Sequence, residues 1–98
     1  MYARLAQFEG DPGALDQMIE GIRKQLDSDE TPPGLESVQR VMVLIDRESG
    51  RNTSLIFCAH EDDLRTVDQA LNQMTPEGET RRTGVELLEV AIDKDTAG

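Results

Sequence analysis

The chain has 98 residues, of which 20 are acidic and 10 basic, for a formal net charge of -10, and its three aromatics are Tyr2, Phe8 and Phe57. That length supports one domain with a small core, which would gain from being covered by a partner. The negative charge repels phosphate backbones and anionic membranes, and so few aromatics leave no stacking platform, which argues against nucleic-acid and membrane partners.

A lone Cys58 cannot form an internal disulfide, and Asp11, Asp16 and Glu20 interrupt the first twenty residues. Both features suit a cytoplasmic chain without a secretory leader. The first strand is expected over Tyr2 to Glu9, where polarity is mixed, and the Glu9-Gly10-Asp11-Pro12-Gly13 cluster ends it. Asp11 is placed to accept from the free N–H groups of a helix start, with Pro12 at the first helical position, where its missing N–H costs nothing. In that helix Leu15, Ile19, Ile22 and Leu26 form one apolar stripe, and Asp16, Glu20, Arg23 and Lys24 turn away from it.

The acids and the Thr31-Pro32-Pro33-Gly34 sequence of the next segment end the helix and carry the chain back as a loop. Val41 to Ile45 is too short for a typical helix and rich in β-branched residues, so it is expected as a strand with both faces covered. A polar turn from Asp46 to Asn52 follows, with Gly50 available for positive φ, and Ser54 to Cys58 returns as the third strand of a hairpin. Asp62 and Asp63 put negative charge in the first turn of a second helix, whose stripe is Leu64, Val67, Leu71 and Met74. Thr75-Pro76-Glu77-Gly78 is expected to stop it. The last strand is expected over Val85 to Ile92, and the domain over residues 1–93 with a polar tail at 94–98.

The order is strand, helix, strand, strand, helix, strand: a ferredoxin-like βαββαβ α+β fold, a four-stranded antiparallel sheet with two helices on one face. The other sheet face is left bare, and a second copy of the chain is the obvious cover. Two sheets face to face would enclose a cavity, filled either by side chains or by a ligand.

Three segments in combination carry a family likeness: Pro33-Gly34-Leu35, Val43-Leu44-Ile45-Asp46-Arg47-Glu48-Ser49-Gly50 and Glu61-Asp62-Asp63-Leu64. Together they resemble the dimeric α+β-barrel proteins of the antibiotic biosynthesis monooxygenase superfamily, over nearly the whole chain. The resemblance implies the fold and a homodimer. Members of that superfamily include cofactor-free oxygenases of aromatic polyketides and haem-degrading enzymes, and no cofactor is implied here. The chain has no Trp and a single His, which sets it apart from the haem-degrading members.

Alternation puts Tyr2 and Arg4 on one face of the first strand, and Arg40 and Met42 on one face of the second. If these are the bare faces, all four line the cavity, where arginine would orient an anionic or phenolate ligand and Tyr2 would give or take a proton. The competing reading pairs Arg4 with Glu89 or another carboxylate across the sheet or the dimer interface. Cys58 and His60 lie two apart and read either as a metal pair or activated thiol at a strand end, or as a core cysteine beside a helix-starting histidine. Two ligands are too few for a structural metal site. Asn72, beside Leu71, is expected to face solvent, and Glu61-Asp62-Asp63 to be a helix start. With neither a Cys-x-x-Cys pair nor a glycine-rich phosphate loop, metallochaperone and nucleotide-binding readings fall away. Two functional classes are left: a small-molecule-binding or structural dimeric module, and a cofactor-independent monooxygenase or isomerase acting on a hydrophobic, aromatic-like substrate in the barrel.

Overall fold

A computed structural model describes residues 1–74 and 81–96. Its strands are β1 (Tyr2–Glu9), β2 (Arg40–Ile45), β3 (Asn52–Cys58) and β4 (Arg81–Glu89), and its helices are α1 (Leu15–Asp27) and α2 (Glu61–Asn72). The sheet is antiparallel in the order β2-β3-β1-β4, the ferredoxin-like βαββαβ topology expected from the sequence. β1 and β3 are the inner strands, and β2 and β4 form the edges.

Register decides which side chains share a face. Arg4 lies opposite Ile56 of β3, and Ile56 opposite Val41 of β2, so Tyr2, Arg4, Ala6 and Phe8 share a face with Cys58, Ile56, Ser54 and Asn52 and with Val41, Val43 and Ile45. Both helices lie over this face. From α2, Leu64 and Val67 bury themselves on Ile56 and Cys58, flanked by Tyr2, Leu35, Val38, Val41 and Leu71. From α1, Ile19 and Ile22 face Val41, Val43 and Ile45 across a narrower gap. The opposite face carries Ala3 and Leu5, Leu55 and Phe57, Arg40, Met42 and Leu44, and Glu86 and Leu88. No part of the described chain packs over it as the helices do over the first face.

Local chemistry sets the element ends. Asp11 accepts from Gly13 N at 2.9 Å, and Pro12–Ala14 forms a 3-10 turn that leads into α1. Within α1 the buried residues are Leu15 and Met18, whereas Leu26, expected at the end of the stripe, is 56 % exposed. The inward stripe steps through Met18. In the hairpin, Asp46 N donates to Arg51 O at 2.8 Å and Gly50 N to Asp46 O at 2.9 Å. Gly50 takes φ +81, and a side chain there would strike the Gly10 carbonyl oxygen and approach Pro12 N to 2.8 Å. The Asp46 carboxyl accepts from Glu48 N and from the Ser49 hydroxyl, which holds it below the ordinary carboxylate range.

Two expectations change. β2 is an edge strand covered on one face only, with Leu44 49 % exposed on the other. β4 begins at Arg81 and ends at Glu89, where Val85 to Ile92 was expected, because Arg81 and Arg82 pair with Glu9 and Phe8 of β1 across a bulge. An Arg81–Glu9 ion pair at 2.6 Å fastens that end. The expected helix stop at Thr75-Pro76-Glu77-Gly78, and the last two residues of the tail, lie outside the described residues. Among the described residues, no helix is long and apolar enough to cross a membrane.

Candidate functional site

Among the described residues Arg4 is the most deeply buried charged one, at 4 % exposure, and it points from β1 under α2. Its Nε donates to Asp68 Oδ1 at 2.9 Å and its Nη2 to Asn72 Oδ1 at 3.2 Å. Asn72 Nδ2 donates to Asp68 Oδ2 at 3.3 Å, and Arg82 Nη1, from β4, donates to Asn72 Oδ1 at 2.6 Å. Helical spacing of four residues stacks Asp68 and Asn72 on one side of α2, so a carboxylate and an amide together receive guanidinium groups from two strands. The Glu89 partnership considered for Arg4 is thus replaced by one with Asp68. Asn72 is exposed, as expected, and its amide oxygen also joins the two arginines.

Beside this network, a cleft of about 710 Å³ lies between residues of α1, α2 and the sheet. Val43, Ser54 and Ile56 form its floor, Met18 and Ile22 one wall, Leu71 and Met74 the other, and Arg4, Asn72 and Arg82 one end. The volume lies in the range of small-molecule sites, and an apolar lining with a few convergent polar groups is their usual composition. Asn52, at the start of β3, also lines the cleft; it is only 6 % exposed, and its Nδ2 has no hydrogen-bond partner among the described residues. A buried amide donor of this kind ordinarily finds an acceptor, and leaving it without one costs about 1–3 kcal/mol.

The six residues singled out from the sequence separate. Tyr2, Arg4 and Cys58 lie on the helix-covered face, whereas Arg40 and Met42 lie on the bare one, so the pairs predicted for one cavity point to opposite sides of the sheet. Each pair does share a face of its own strand; the one-residue offset of the register sends the two faces apart. Tyr2 packs against the Cys58 cluster, and Arg40 stands 5.9 Å from the Phe57 ring centroid, within cation–π reach. Cys58 is a fully buried core residue whose thiol is pushed up by desolvation, which keeps it protonated near neutral pH and unsuited to nucleophilic work. His60 sits past the strand end, exposed, at the N-cap of α2, where its carbonyl accepts from Leu64 N at 3.1 Å. The two do not form a pair, and among the described residues no group of three or more His, Cys, Asp or Glu is placed to hold a metal ion. Asp68, Asn52 and Arg82 were missed. Asn52 and Ser54 carry a signal, since they share strand parity with the core residues Ile56 and Cys58 and so put polar groups on a covered face.

No protein-family model matches the chain, and no curated protein is a significant match. Solved structures do match. A candidate antibiotic biosynthesis monooxygenase from Deinococcus radiodurans superposes with a TM-score of 0.59 at 13 % identity, covering 100 % of both chains. The crystal structure of an antibiotic biosynthesis monooxygenase gives 0.55 at 13 % identity, covering 94 % of this chain and 100 % of that one. At such identity the likeness is one of fold: the chain has the ferredoxin-like architecture of antibiotic biosynthesis monooxygenase-like structures, as its sequence motifs suggested.

Proposed function

We propose that the protein is a homodimeric small-molecule-binding module, in which the bare sheet face meets a second copy and the helix-side cleft takes a small hydrophobic ligand. The observation that carries the ligand reading is the cleft itself, an apolar space of about 710 Å³ with Asn52, whose Nδ2 has no hydrogen-bond partner among the described residues, in its wall. The bare face supports the dimer: Leu5 and Leu55 on the inner strands, with Met42, Leu44 and Leu88 on the edges, make much of it apolar, and a face of this kind is seldom left to solvent. Two copies so joined form an α+β barrel, with a ligand site in each subunit on the side away from the join. A reducing cytoplasm suits its unpaired Cys58.

A second reading, a cofactor-independent monooxygenase or isomerase acting on a hydrophobic substrate, is favoured by the fold shared with the monooxygenase structures and by the polar groups of the same cleft. Native mass spectrometry of the freshly purified chain tests both parts of the main reading. A dimer of the 10.9 kDa chain that retains or takes up one hydrophobic organic molecule per subunit is the expected result. A monomer at micromolar concentration would overturn the dimer, and a dimer that takes up no hydrophobic compound from a broad panel would overturn the ligand site.

A further inference from the structure

The polar groups of the cleft are not scattered. They sit at separate places around an apolar middle, and they differ in charge. At the α2 end, two guanidinium groups converge on Asn72 Oδ1, a neutral oxygen. Among the described residues Asp68 is the carboxylate of this cluster; Arg4 takes its Oδ1 and Asn72 its Oδ2, so there Arg82 is held by an uncharged acceptor at the rim of the cleft. Asn52 supplies a different kind of group, a neutral buried donor with nothing to donate to among the described residues. Strand register separates the two: Asn52 of β3 and Arg82 of β4 each lie opposite Phe8, on either side of β1.

Resting on the ligand-binding reading of this cleft, we infer that its ligand is an organic anion with a second, neutral acceptor oxygen: the anionic group pairs with Arg82, a carbonyl or ether oxygen accepts from Asn52 Nδ2, and the apolar body lies over Phe8 between them. A charge-assisted bond to guanidinium is roughly twice as strong as a neutral one, so the anionic end sets orientation as well as affinity. The whole chain bears a formal charge of -10, which repels anions at large. A preference for an anion must therefore come from this cluster.

Isothermal titration of the full chain with three tricyclic probes tests the inference: 9-oxofluorene-2-carboxylate, its methyl ester, and fluorene-2-carboxylate. The oxo-acid is expected to bind at least tenfold more tightly than either of the others. Arg82→Gln, which retains an N–H for Asn72, should abolish the preference for acid over ester and leave the preference for ketone over hydrocarbon. Asn52→Leu, which removes an unsatisfied donor and so does not threaten folding, should do the reverse. Equal binding of all three probes, or variants that leave both preferences intact because water satisfies Asn52, would overturn the inference while leaving the cleft a hydrophobic site. Binding of none would overturn the cleft reading with it.

Discussion

Asp68→Ala is expected to destabilise the protein by about 3 kcal/mol or more, since it strands the Arg4 guanidinium beneath α2 with a neutral amide as its remaining partner. Arg4 is 4 % exposed, so its guanidinium has little water at hand to replace the lost carboxylate. For a chain of this size such a loss corresponds to a fall in melting temperature of roughly 12 °C or more. The double variant Arg4→Met with Asp68→Leu removes both charges and fills similar volume, so it should recover most of the loss; desolvating the pair offsets much of its attraction, and packed apolar side chains serve nearly as well. Thermal and urea unfolding of the three variants and the parent measure this. A single variant within about 0.5 kcal/mol of the parent would show that Arg4 is solvated and that the network with Asn72 and Arg82 is a surface one.

Leu55→Lys is expected to weaken self-association by more than about 100-fold, or about 2.7 kcal/mol, while leaving the fold of each chain intact. Leu55 lies opposite both Leu5 and Met42, at the middle of the bare face, and no described residue it would disturb belongs to the helix-side core. Across a two-fold axis the substitution acts twice, because each copy presents its own lysine to the same apolar patch and each charge must be desolvated there. Sedimentation velocity reports the association and circular dichroism the fold. Unchanged association would place the join elsewhere, for instance along the edge of β2 or β4.

The order of elements was legible because punctuation in this chain is strong. Pro12 and Gly13 form the turn that leads into α1, the polar run from Asp27 to Gly34 carries the chain out of it, and Gly50 turns the hairpin. Strand parity was legible too: Tyr2 with Arg4, and Arg40 with Met42, do share faces. What a sequence cannot show is the offset between strands, and here Arg4 aligns with Ile56 and Val41, not with Arg40 or Met42. The same gap hid the network. Arg4 meets Asp68 and Asn72 across 64 and 68 residues, and no local pattern records such a pairing. Asn52 reads naturally as the last residue of a turn, although its parity with Ile56 and Cys58 points inward, and its pairing with Phe8 places it on the covered face. Met18 was passed over because counting by fours from Leu15 selects Ile19, whereas α1 turns the i+3 residue inward.

The central claim, that one sheet face joins copies and the other binds ligand, can be read from a single set of signals. Met18 and Met74 line the cleft, and Met42 lies on the bare face. With the methionine methyl groups labelled with carbon-13, titration with 9-oxofluorene-2-carboxylate should move the Met18 and Met74 resonances and leave Met42 in place, whereas dilution through the dimer equilibrium should move Met42 and leave Met18 and Met74 in place. A ligand that moves Met42 and leaves Met18 and Met74 unshifted would put the binding site between the two sheets and contradict the account.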